Sequence, residues 1–319
     1  MSLNMNKRAV KLVSEVIERS KELRVEVLKI GGATVVDMGI KVSGSIEAGI
    51  YLSKICTGGL AEVRITSFRV GDLVLPAVEV STDYPIEACM ASQFAGWKVK
   101  VGSYFAMGSG PARALAKKPK KLYEEIGYEE SSDEAVLVLE TNELPNEEVI
   151  KYVAEHTGVK PEGIYIVAAP TNSLAGTVQV SARVVETGIH KLHEIGFNIK
   201  KILYGFGVAP IAPLHPDPLI MLGRTNDMIL YGGETFYVVD YESDEELEKF
   251  VSEAPSEASK DYGKSLAEKV RELGIEFLYK VDPKVFAPAV VTVNNIRTGT
   301  TIRRGKLNPD VIKASISLR

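Results

Sequence analysis

Residues Gly163–Gly196 have the sequence GIYIVAAPTNSLAGTVQVSARVVETGIHKLHEIG, and this stretch decides the fold class. Ile164–Ala169 is an apolar run of strand length that Pro170 ends. Residues 171–173 are polar and suit a helix N-cap, and the apolar residues that follow recur with a helical period until Gly196. The stretch therefore predicts a strand, a tight turn and a helix, which is the repeating unit of α/β proteins.

One face of the predicted helix carries polar side chains. With an advance of about 100° per residue, several of them fall within an arc of roughly 80°: Gln179, Arg183, Glu186, His190 and His193. Arg183 and Glu186 are one turn apart, so a guanidinium and a carboxylate would lie side by side. An ordinary surface ion pair, worth a few tenths of a kcal/mol, would show the same spacing. Gln179 favours a functional face, because the whole chain contains only two glutamines.

The composition indicates a globular enzyme. The chain has 319 residues, of which 45% are hydrophobic and 25% charged, and this length suffices for two domains and a large core. The formal net charge of -4 argues against nucleic acid as the main partner. No apolar run approaches the ~20 residues that a membrane helix needs, and the amphipathic N-terminal segment lacks the pattern of a signal peptide. We therefore expect a soluble, cytoplasmic protein.

Cysteines and histidines are few. Cys56 and Cys89 are the only cysteines and form no C-x-x-C pair, which is typical of an intracellular protein without disulfides or structural zinc. His190 and His193 are one helical turn apart and could bind a metal ion. The chain has no H-E-x-x-H motif, however, and no obvious third ligand. We therefore predict that the protein has no metal site.

The rest of the chain contains further strands and helices. Strands are predicted at Val25–Ile30, Thr34–Met38, Ala61–Val70, Leu73–Val80, Val136–Leu139, Ile202–Gly205, Ile275–Val281 and Ala287–Asn294. Their arrangement predicts an α/β protein of two domains with mixed sheets. A change of composition over Lys117–Glu134 places the boundary near residue 130, giving an N-terminal domain 1–130 and a C-terminal domain 131–319. The C-terminal strands could return to the first domain.

A glycine-containing segment forms a second candidate site. Met107–Arg113, MGSGPAR, would be a loop that leads into a helix beginning at Pro111. The backbone N–H groups of such a loop, the helix N-terminus and nearby cations could bind a phosphate or a carboxylate. A close-packing turn before a solvated basic helix explains the segment equally well, and the G-K-[ST] ending of a P-loop is absent. The candidate residues are Gly108, Ser109, Gly110, Arg113 and Lys117, with Lys118 as a second choice.

Several blocks along the chain resemble one known family, methenyltetrahydromethanopterin cyclohydrolase. The matching blocks are CTGGLA (56–61), AGWKVKVGSYFAMGSGPARALAKKPK (95–120), APTNSLAGTVQVSARVVETG (169–188), APIAP (209–213), GRTNDMILYGG (223–233), PSEASKDYGK (255–264) and DPKVFAPA (282–289). They span most of the chain in the order of the family, and the long central blocks are highly specific. Small departures occur at Thr57, Tyr84 and Asn172, where the family pattern has Met, His and Ala, and they concern local loop contacts.

The resemblance implies two α/β domains with a cleft between them, usually in a homotrimer, and a reaction without metal or redox cofactor. In that reaction water adds reversibly to the cationic methenyl bridge of methenyltetrahydromethanopterin, and the ring opens to the formyl compound. The family serves one-carbon metabolism, including methanogenesis. Because the methenyl carbon is already electrophilic, the chemistry needs mainly a base for the attacking water.

The polar helix face supplies candidates for this chemistry. We predict that Glu186 is the general base and that its negative charge favours the cationic substrate. Arg183 would hold the carboxylate and the water, and could orient the carbonyl of the pterin. Gln179 and Ser181 are weaker candidates for contacts with the substrate.

The resemblance also gives roles to the other candidate residues. The glycine segment with Arg113 becomes a candidate clamp for the phosphate-bearing tail of the substrate, with Lys117 as a further cation. Arg224, Asn226 and Asp227 could contact the edge of the pterin. They could equally form a turn whose side chains bond their own backbone.

Two other functions fit parts of the sequence. A phosphoryl transferase could use the GSGPAR segment to bind Mg-ATP, and it would then need a carboxylate to hold the ion. A non-catalytic pterin-binding trimer would use Arg183 and Glu186 only for structure.

Overall fold

The computed structural model describes residues 3–274, 276–277 and 280–318. The chain forms two compact units. The first unit contains the residues up to Ala61 and Ile86–Gln179, and the second unit contains Glu62–Pro85 and the residues from Val180 onward. The sequence predicts instead one cut near residue 130. The division differs because residues 62–85 form strands in the second unit, whereas the strands just after residue 130 pair within the first.

Most of the predicted strands are present, and four further strands were not predicted: Trp97–Val101, Tyr104–Ser109, Glu234–Val239 and Thr301–Gly305. The helices are α1 (Met5–Glu18), α2 (Ser20–Leu23), α3 (Ile46–Cys56), α4 (Ala112–Ala116), α5 (Lys120–Ile126), α6 (Glu147–Thr157), α7 (Leu174–Ser181), α8 (Val184–Glu194), α9 (Pro218–Gly232), α10 (Asp244–Glu253), α11 (Leu266–Leu273) and α12 (Pro309–Ser317). The strands are β1 (Glu26–Ile30), β2 (Ala33–Asp37), β3 (Glu62–Val70), β4 (Leu73–Thr82), β5 (Trp97–Val101), β6 (Tyr104–Ser109), β7 (Ala135–Glu140), β8 (Ile164–Ala169), β9 (Ile202–Pro210), β10 (Glu234–Val239), β11 (Val290–Asn295) and β12 (Thr301–Gly305). A π-helix spans Ile86–Gln93.

The first unit is built on a mixed six-stranded sheet with the order β1-β2-β8-β7-β6-β5. Strands β2, β8 and β7 are parallel, and the others pair antiparallel. Both faces of the sheet are covered: Leu137 and Ile166 pack with residues of α6, while Val136 and Val167 pack with residues of α1 and α3. Burial on both faces explains why β7 and β8 are almost uninterrupted apolar runs.

The second unit is built on another mixed six-stranded sheet, with the order β12-β11-β10-β9-β4-β3. Strands β10 and β11 are parallel, and the other neighbours are antiparallel. The chain is therefore an α/β protein with two mixed sheets, as the sequence predicts. The strand predicted over Ile275–Val281 falls partly on residues outside the described ones.

The helix predicted after β8 is wrong in one respect, because it is two helices. Helix α7 ends at Ser181, and α8 begins at Val184 with Arg183 as its N-cap residue. Arg183 has a ψ angle of 0°, which lies outside the α-helical range, so the helix is interrupted at this residue. The polar face predicted from one continuous helix is therefore interrupted between Gln179 and Arg183.

Among the helices formed by the described residues, none combines the length and the apolarity that crossing a membrane requires.

Candidate active site

Arg183 and Glu186 lie together at the start of α8. Nη1 of Arg183 is 3.7 Å from Oε2 of Glu186, which is within ion-pair distance. Their side chains are only 12% and 8% exposed. Exposed ion pairs contribute little because water screens them, but this pair is shielded from water on most sides. The spacing seen in the sequence thus corresponds to a largely buried pair.

The start of α8 also favours a negative charge at Glu186. Glu186 is the third residue of the helix, within the turn whose backbone N–H groups lack carbonyl partners inside the helix. The positive end of the helix dipole lies in this turn and stabilises a carboxylate there. Glu186 is therefore held near two sources of positive potential, the helix N-terminus and Arg183.

Two glycines of β9 allow α8 to approach the second sheet closely. A Cβ atom on Gly205 would lie 2.8 Å from Cγ1 of Val185, and one on Gly207 would lie 2.9 Å from Cγ1 of Val184. Any larger residue would push the helix away, because real Cβ atoms do not approach so closely. The glycines therefore fix the height of the first turn of α8, and with it the position of Glu186, above the sheet.

The two histidines of the predicted polar face lie further along α8 and approach one carboxylate. Nε2 of His190 is 3.7 Å from Oε1 of Glu194, and Nδ1 of His193 is 3.8 Å from the same oxygen. Within residues 3–274, 276–277 and 280–318, no three His, Cys, Asp or Glu side chains come close enough together to hold a metal ion.

Gln179 and Ser181 lie on α7, and both are buried. Gln179 belongs to the first unit, where its Nε2 is 3.5 Å from Sγ of Cys56. Ser181 belongs to the second unit and donates a hydrogen bond of 2.8 Å to the carbonyl of Pro210. The Ser181 hydroxyl thus has a structural hydrogen bond to a backbone carbonyl. A contact from Gln179 or Ser181 to a substrate stays a prediction.

The glycine segment differs from the predicted loop. Gly108 and Ser109 belong to strand β6, and only Gly110, with a φ of +92°, requires glycine for its backbone conformation. A Cβ atom on Gly108 would lie 2.9 Å from the carbonyl oxygen of Trp97. The helix that follows, α4, has only five residues. These features are those of a close-packing turn, which was one of the two interpretations of the segment.

Arg113 is completely buried, with 0% exposure. Its Nε donates to the carbonyl of Lys118 at 2.8 Å, and its Nη1 donates to the carbonyls of Met90 and Ser92 at 3.2 and 3.1 Å. The guanidinium therefore ties α4 to the end of the π-helix. Binding a substrate phosphate, as the sequence predicts, would require Arg113 to give up these bonds.

Lys117 is an exposed cation of this region. Its Nζ is 2.7 Å from Oε1 of Glu129, and both side chains face solvent. Such an exposed pair is easily broken, so Lys117 can turn toward an anion at little cost.

The last predicted group lies on helix α9, and the predicted turn is therefore wrong. Arg224 is buried and donates to the carbonyls of Pro213 and Leu318 at 2.9 and 3.0 Å. Asn226 donates from Nδ2 to the carbonyl of Leu222, one turn earlier in the same helix. Side chains that bond backbone carbonyls were expected of a turn, but a helix presents them here.

Asp227 caps another helix. Its carboxylate accepts hydrogen bonds of 2.8 Å from the Ser265 hydroxyl and from the backbone N–H of Leu266, and one of 3.2 Å from the N–H of Ala267. These groups form the start of α11. Burial raises the pKa of Asp227 to about 6, although the same hydrogen bonds act in the opposite direction. Asp227 thus anchors α11 to α9.

Comparison with known proteins gives the family. Residues 4–316 match the model of the family described as cyclohydrolase (MCH). The chain belongs to this family. Methenyltetrahydromethanopterin cyclohydrolase of Methanocaldococcus jannaschii is 49% identical over 318 residues, 98% of each chain. The proteins of the same name from Methanosarcina barkeri and Methanococcoides burtonii are 48% and 47% identical over 319 residues, 99% of each chain.

In this member of the cyclohydrolase family, the sequence analysis missed the two glycines that let α8 lie close to the second sheet. Gly205 and Gly207 were not singled out, because a glycine within a strand indicates only close approach of an unspecified neighbour. Their alternation in Tyr204–Val208, YGFGV, was the available signal, since it places both glycines on one face of β9.

Proposed function

We propose that this protein is an enzyme that reversibly adds water to the methenyl bridge of methenyltetrahydromethanopterin to give the formyl compound. Family membership and the names of relatives that match over nearly the full length support this reaction. The observation that carries the mechanism is the largely buried pair of Arg183 and Glu186 on the first turn of α8.

The reaction needs one proton to be removed and another to be moved. The oxygen of water bonds to the methenyl carbon while a base takes one of its protons, which turns the cation into a neutral carbinolamine. The remaining hydroxyl proton then passes to one of the two ring nitrogens as the bond from that nitrogen to the carbon breaks and the formyl C=O forms. One substrate cation and one water therefore give the formyl compound and one proton.

Glu186 is suited to be the base. Its carboxylate lies in the first turn of α8 and 3.7 Å from Nη1 of Arg183, and both the helix N-terminus and the guanidinium stabilise a negative charge there. Low exposure strengthens its attraction for the positive methenyl carbon, because little water screens the charge. Positioned general-base catalysis typically contributes about 100- to 10,000-fold to a rate.

Arg183 is suited to orient the carboxylate. The distance of 3.7 Å between Nη1 and Oε2 is within ion-pair range, so the positive charge of the guanidinium restrains the carboxylate of Glu186. A guanidinium carries several N–H donors, and we propose that one of those of Arg183 donates to the water or to the carbonyl of the pterin.

The remaining binding residues form a second part of the proposal. Gln179 would contact the substrate, and Lys117 would attract its anionic tail. The homotrimer implied by the family resemblance would sediment with about three times the chain mass of 34.7 kDa. A species of one chain mass at micromolar concentration would contradict that assembly.

The reaction is tested directly by absorbance. Purified protein added to the methenyl compound, in buffer with a metal chelator, should cause a decay of the methenyl absorbance, and Glu186→Gln should not. A thermal-shift experiment serves as the counter-test. Stabilisation by Mg-ATP but not by the pterin would contradict the proposal and favour a phosphoryl transferase.

A further inference from the structure

Tyr237 connects the second sheet to the backbone of α8. It lies in β10 and is fully buried, at 0% exposure. Its hydroxyl donates a hydrogen bond of 2.9 Å to the backbone carbonyl of Val185. Val185 immediately precedes Glu186 in the first turn of the helix. A side chain of the sheet is therefore bonded to the turn that carries the carboxylate.

A glycine in α8 makes room for this contact. A Cβ atom on Gly188 would lie 2.1 Å from the hydroxyl oxygen of Tyr237, far inside van der Waals contact. Glycine is among the least favourable residues in the interior of a helix. Its presence at position 188 is explained by the hydroxyl, because no residue with a side chain would allow Tyr237 to reach the carbonyl of Val185.

The hydrogen bond adds direction to a contact that is otherwise apolar. Val184 and Val185 rest on Gly205 and Gly207, and such contacts fix the height of the turn above the sheet. Apolar contacts are not directional, so they allow a helix to slide or rotate on glycine. A hydrogen bond has a preferred distance and angle, and the bond from Tyr237 therefore fixes the turn laterally.

We propose that Tyr237 is a positioning residue for Glu186, and that Gly188 leaves the space that the hydroxyl of Tyr237 occupies. The inference rests on the proposed function, in which Glu186 is the base. A base has to lie within hydrogen-bond reach of the attacking water, and a misplacement of about 1 Å can lower a rate about 100-fold. Tyr237 touches no reacting atom and acts through the backbone of α8.

Tyr237→Phe removes the hydroxyl and keeps the ring. We expect kcat to fall about tenfold while KM stays within about twofold, because the base is displaced but the substrate contacts remain. A purely structural role would change the thermal midpoint of unfolding without changing kcat of the folded protein.

Tyr231→Phe is the matched control. Tyr231 is also 0% exposed and lies in the same unit, and its hydroxyl donates at 2.8 Å to a backbone carbonyl, that of Lys264. This carbonyl lies next to the start of α11 and does not belong to α8. We expect Tyr231→Phe to lower thermal stability as much as Tyr237→Phe does, with kcat within about twofold of the wild type.

Gly188→Ala tests the coupling of the two residues. In the wild type the added methyl group collides with the Tyr237 hydroxyl, so we expect kcat to fall at least tenfold. In the Tyr237→Phe background the nearest ring atom would be Cζ at 3.1 Å, so the same substitution should cost much less. The two effects on kcat should therefore not multiply.

The outcomes separate this inference from the proposed function. If Glu186→Gln is slow but Tyr237→Phe turns over as fast as Tyr231→Phe, the positioning role is wrong and the base stands. An equal cost of Gly188→Ala in both backgrounds also overturns the positioning role. If Glu186→Gln keeps wild-type turnover, the base assignment is wrong, and the role of Tyr237 falls with it.

Discussion

The hydroxyl of Ser181 donates a hydrogen bond of 2.8 Å to the carbonyl of Pro210, and this bond joins the end of α7 to the end of β9. Ser181 is the last residue of α7, and Arg183, two residues later, is the N-cap residue of α8. The chain is therefore fixed to the sheet immediately before the pair of Arg183 and Glu186. Beyond that point, Gly205 and Gly207 allow the first turn of α8 to lie close to the sheet.

Ser181→Ala should lower the free energy of unfolding by about 1–3 kcal/mol, because the buried carbonyl of Pro210 loses its donor. We also expect a lower kcat, since the start of α8 loses one of its attachments. Urea unfolding and steady-state kinetics measure the two effects. Ser53→Ala is the control: Ser53 is buried but bonds the carbonyl of Gly49 in its own helix, and kcat should not change. A normal kcat in Ser181→Ala would show that this hydrogen bond contributes to stability but not to catalysis.

Glu186→Gln should lower kcat at least about 100-fold with little change in KM, because the base acts mainly in the transition state. The amide keeps the size of the side chain but cannot take the proton. Absorbance kinetics at saturating substrate measure the loss. Glu194→Gln, on the same helix but with a side chain 62% exposed, should retain full activity. Wild-type turnover by Glu186→Gln would exclude Glu186 as the base.

Arg113→Ala should lower the free energy of unfolding by about 3 kcal/mol or more, because the carbonyls of Met90 and Lys118 lose the Arg113 donor and that of Ser92 keeps only its bond from Gly110. The sequence predicts in addition a higher KM, as for a clamp on the tail of the substrate. Lys117→Ala, at an exposed site, should change stability by less than about 0.5 kcal/mol and isolates the effect on KM. An Arg113→Ala protein with normal stability and a raised KM would favour the clamp.

Asp227→Asn should change how stability depends on pH. Burial raises the pKa of Asp227 to about 6 in the folded protein, above its ordinary value of 3.8. The folded state therefore binds the proton more tightly, and this group makes stability fall as the pH rises from about 4 to about 6. The fall is at most about 3 kcal/mol, since one pKa unit corresponds to about 1.4 kcal/mol.

Urea unfolding of the wild type and of Asp227→Asn between pH 4 and pH 7.5 measures this contribution of Asp227 to the free energy of unfolding. Other groups titrate alike in the two proteins, so the difference in the free energy of unfolding isolates residue 227. The difference should change between pH 4 and pH 6 and stay constant above about pH 7. A constant difference over the whole range would mean that the carboxylate is ionised throughout, held by its bonds to Ser265, Leu266 and Ala267.

Local patterns predicted much of the fold. Strand β8 was predicted at its observed bounds, because a buried strand between parallel neighbours must be apolar throughout. The ion pair of Arg183 and Glu186 was also predicted, since three-residue spacing brings side chains together in any helix. The blocks shared with the cyclohydrolase family gave the reaction class, which family membership supports.

Other features could not be predicted because they depend on distant residues. At the break between α7 and α8, the hydroxyl of Ser181 bonds the carbonyl of Pro210, 29 positions away. Arg113 and Asp227 have residue types that suit a binding site, yet both are buried and bond backbone groups of remote segments. A one-dimensional pattern shows the charge of a side chain but not which carbonyl or N–H group it meets.

The sequence by itself determined the α/β class, most of the strands, and the adjacency of a guanidinium and a carboxylate, because these depend on periodicity and on spacing within one helical turn. Only the tertiary structure decided that this pair is largely buried and that Tyr237 and three glycines hold its helix against a sheet. Burial and close approach depend on which distant backbone atoms come into contact, and that is decided when the chain packs.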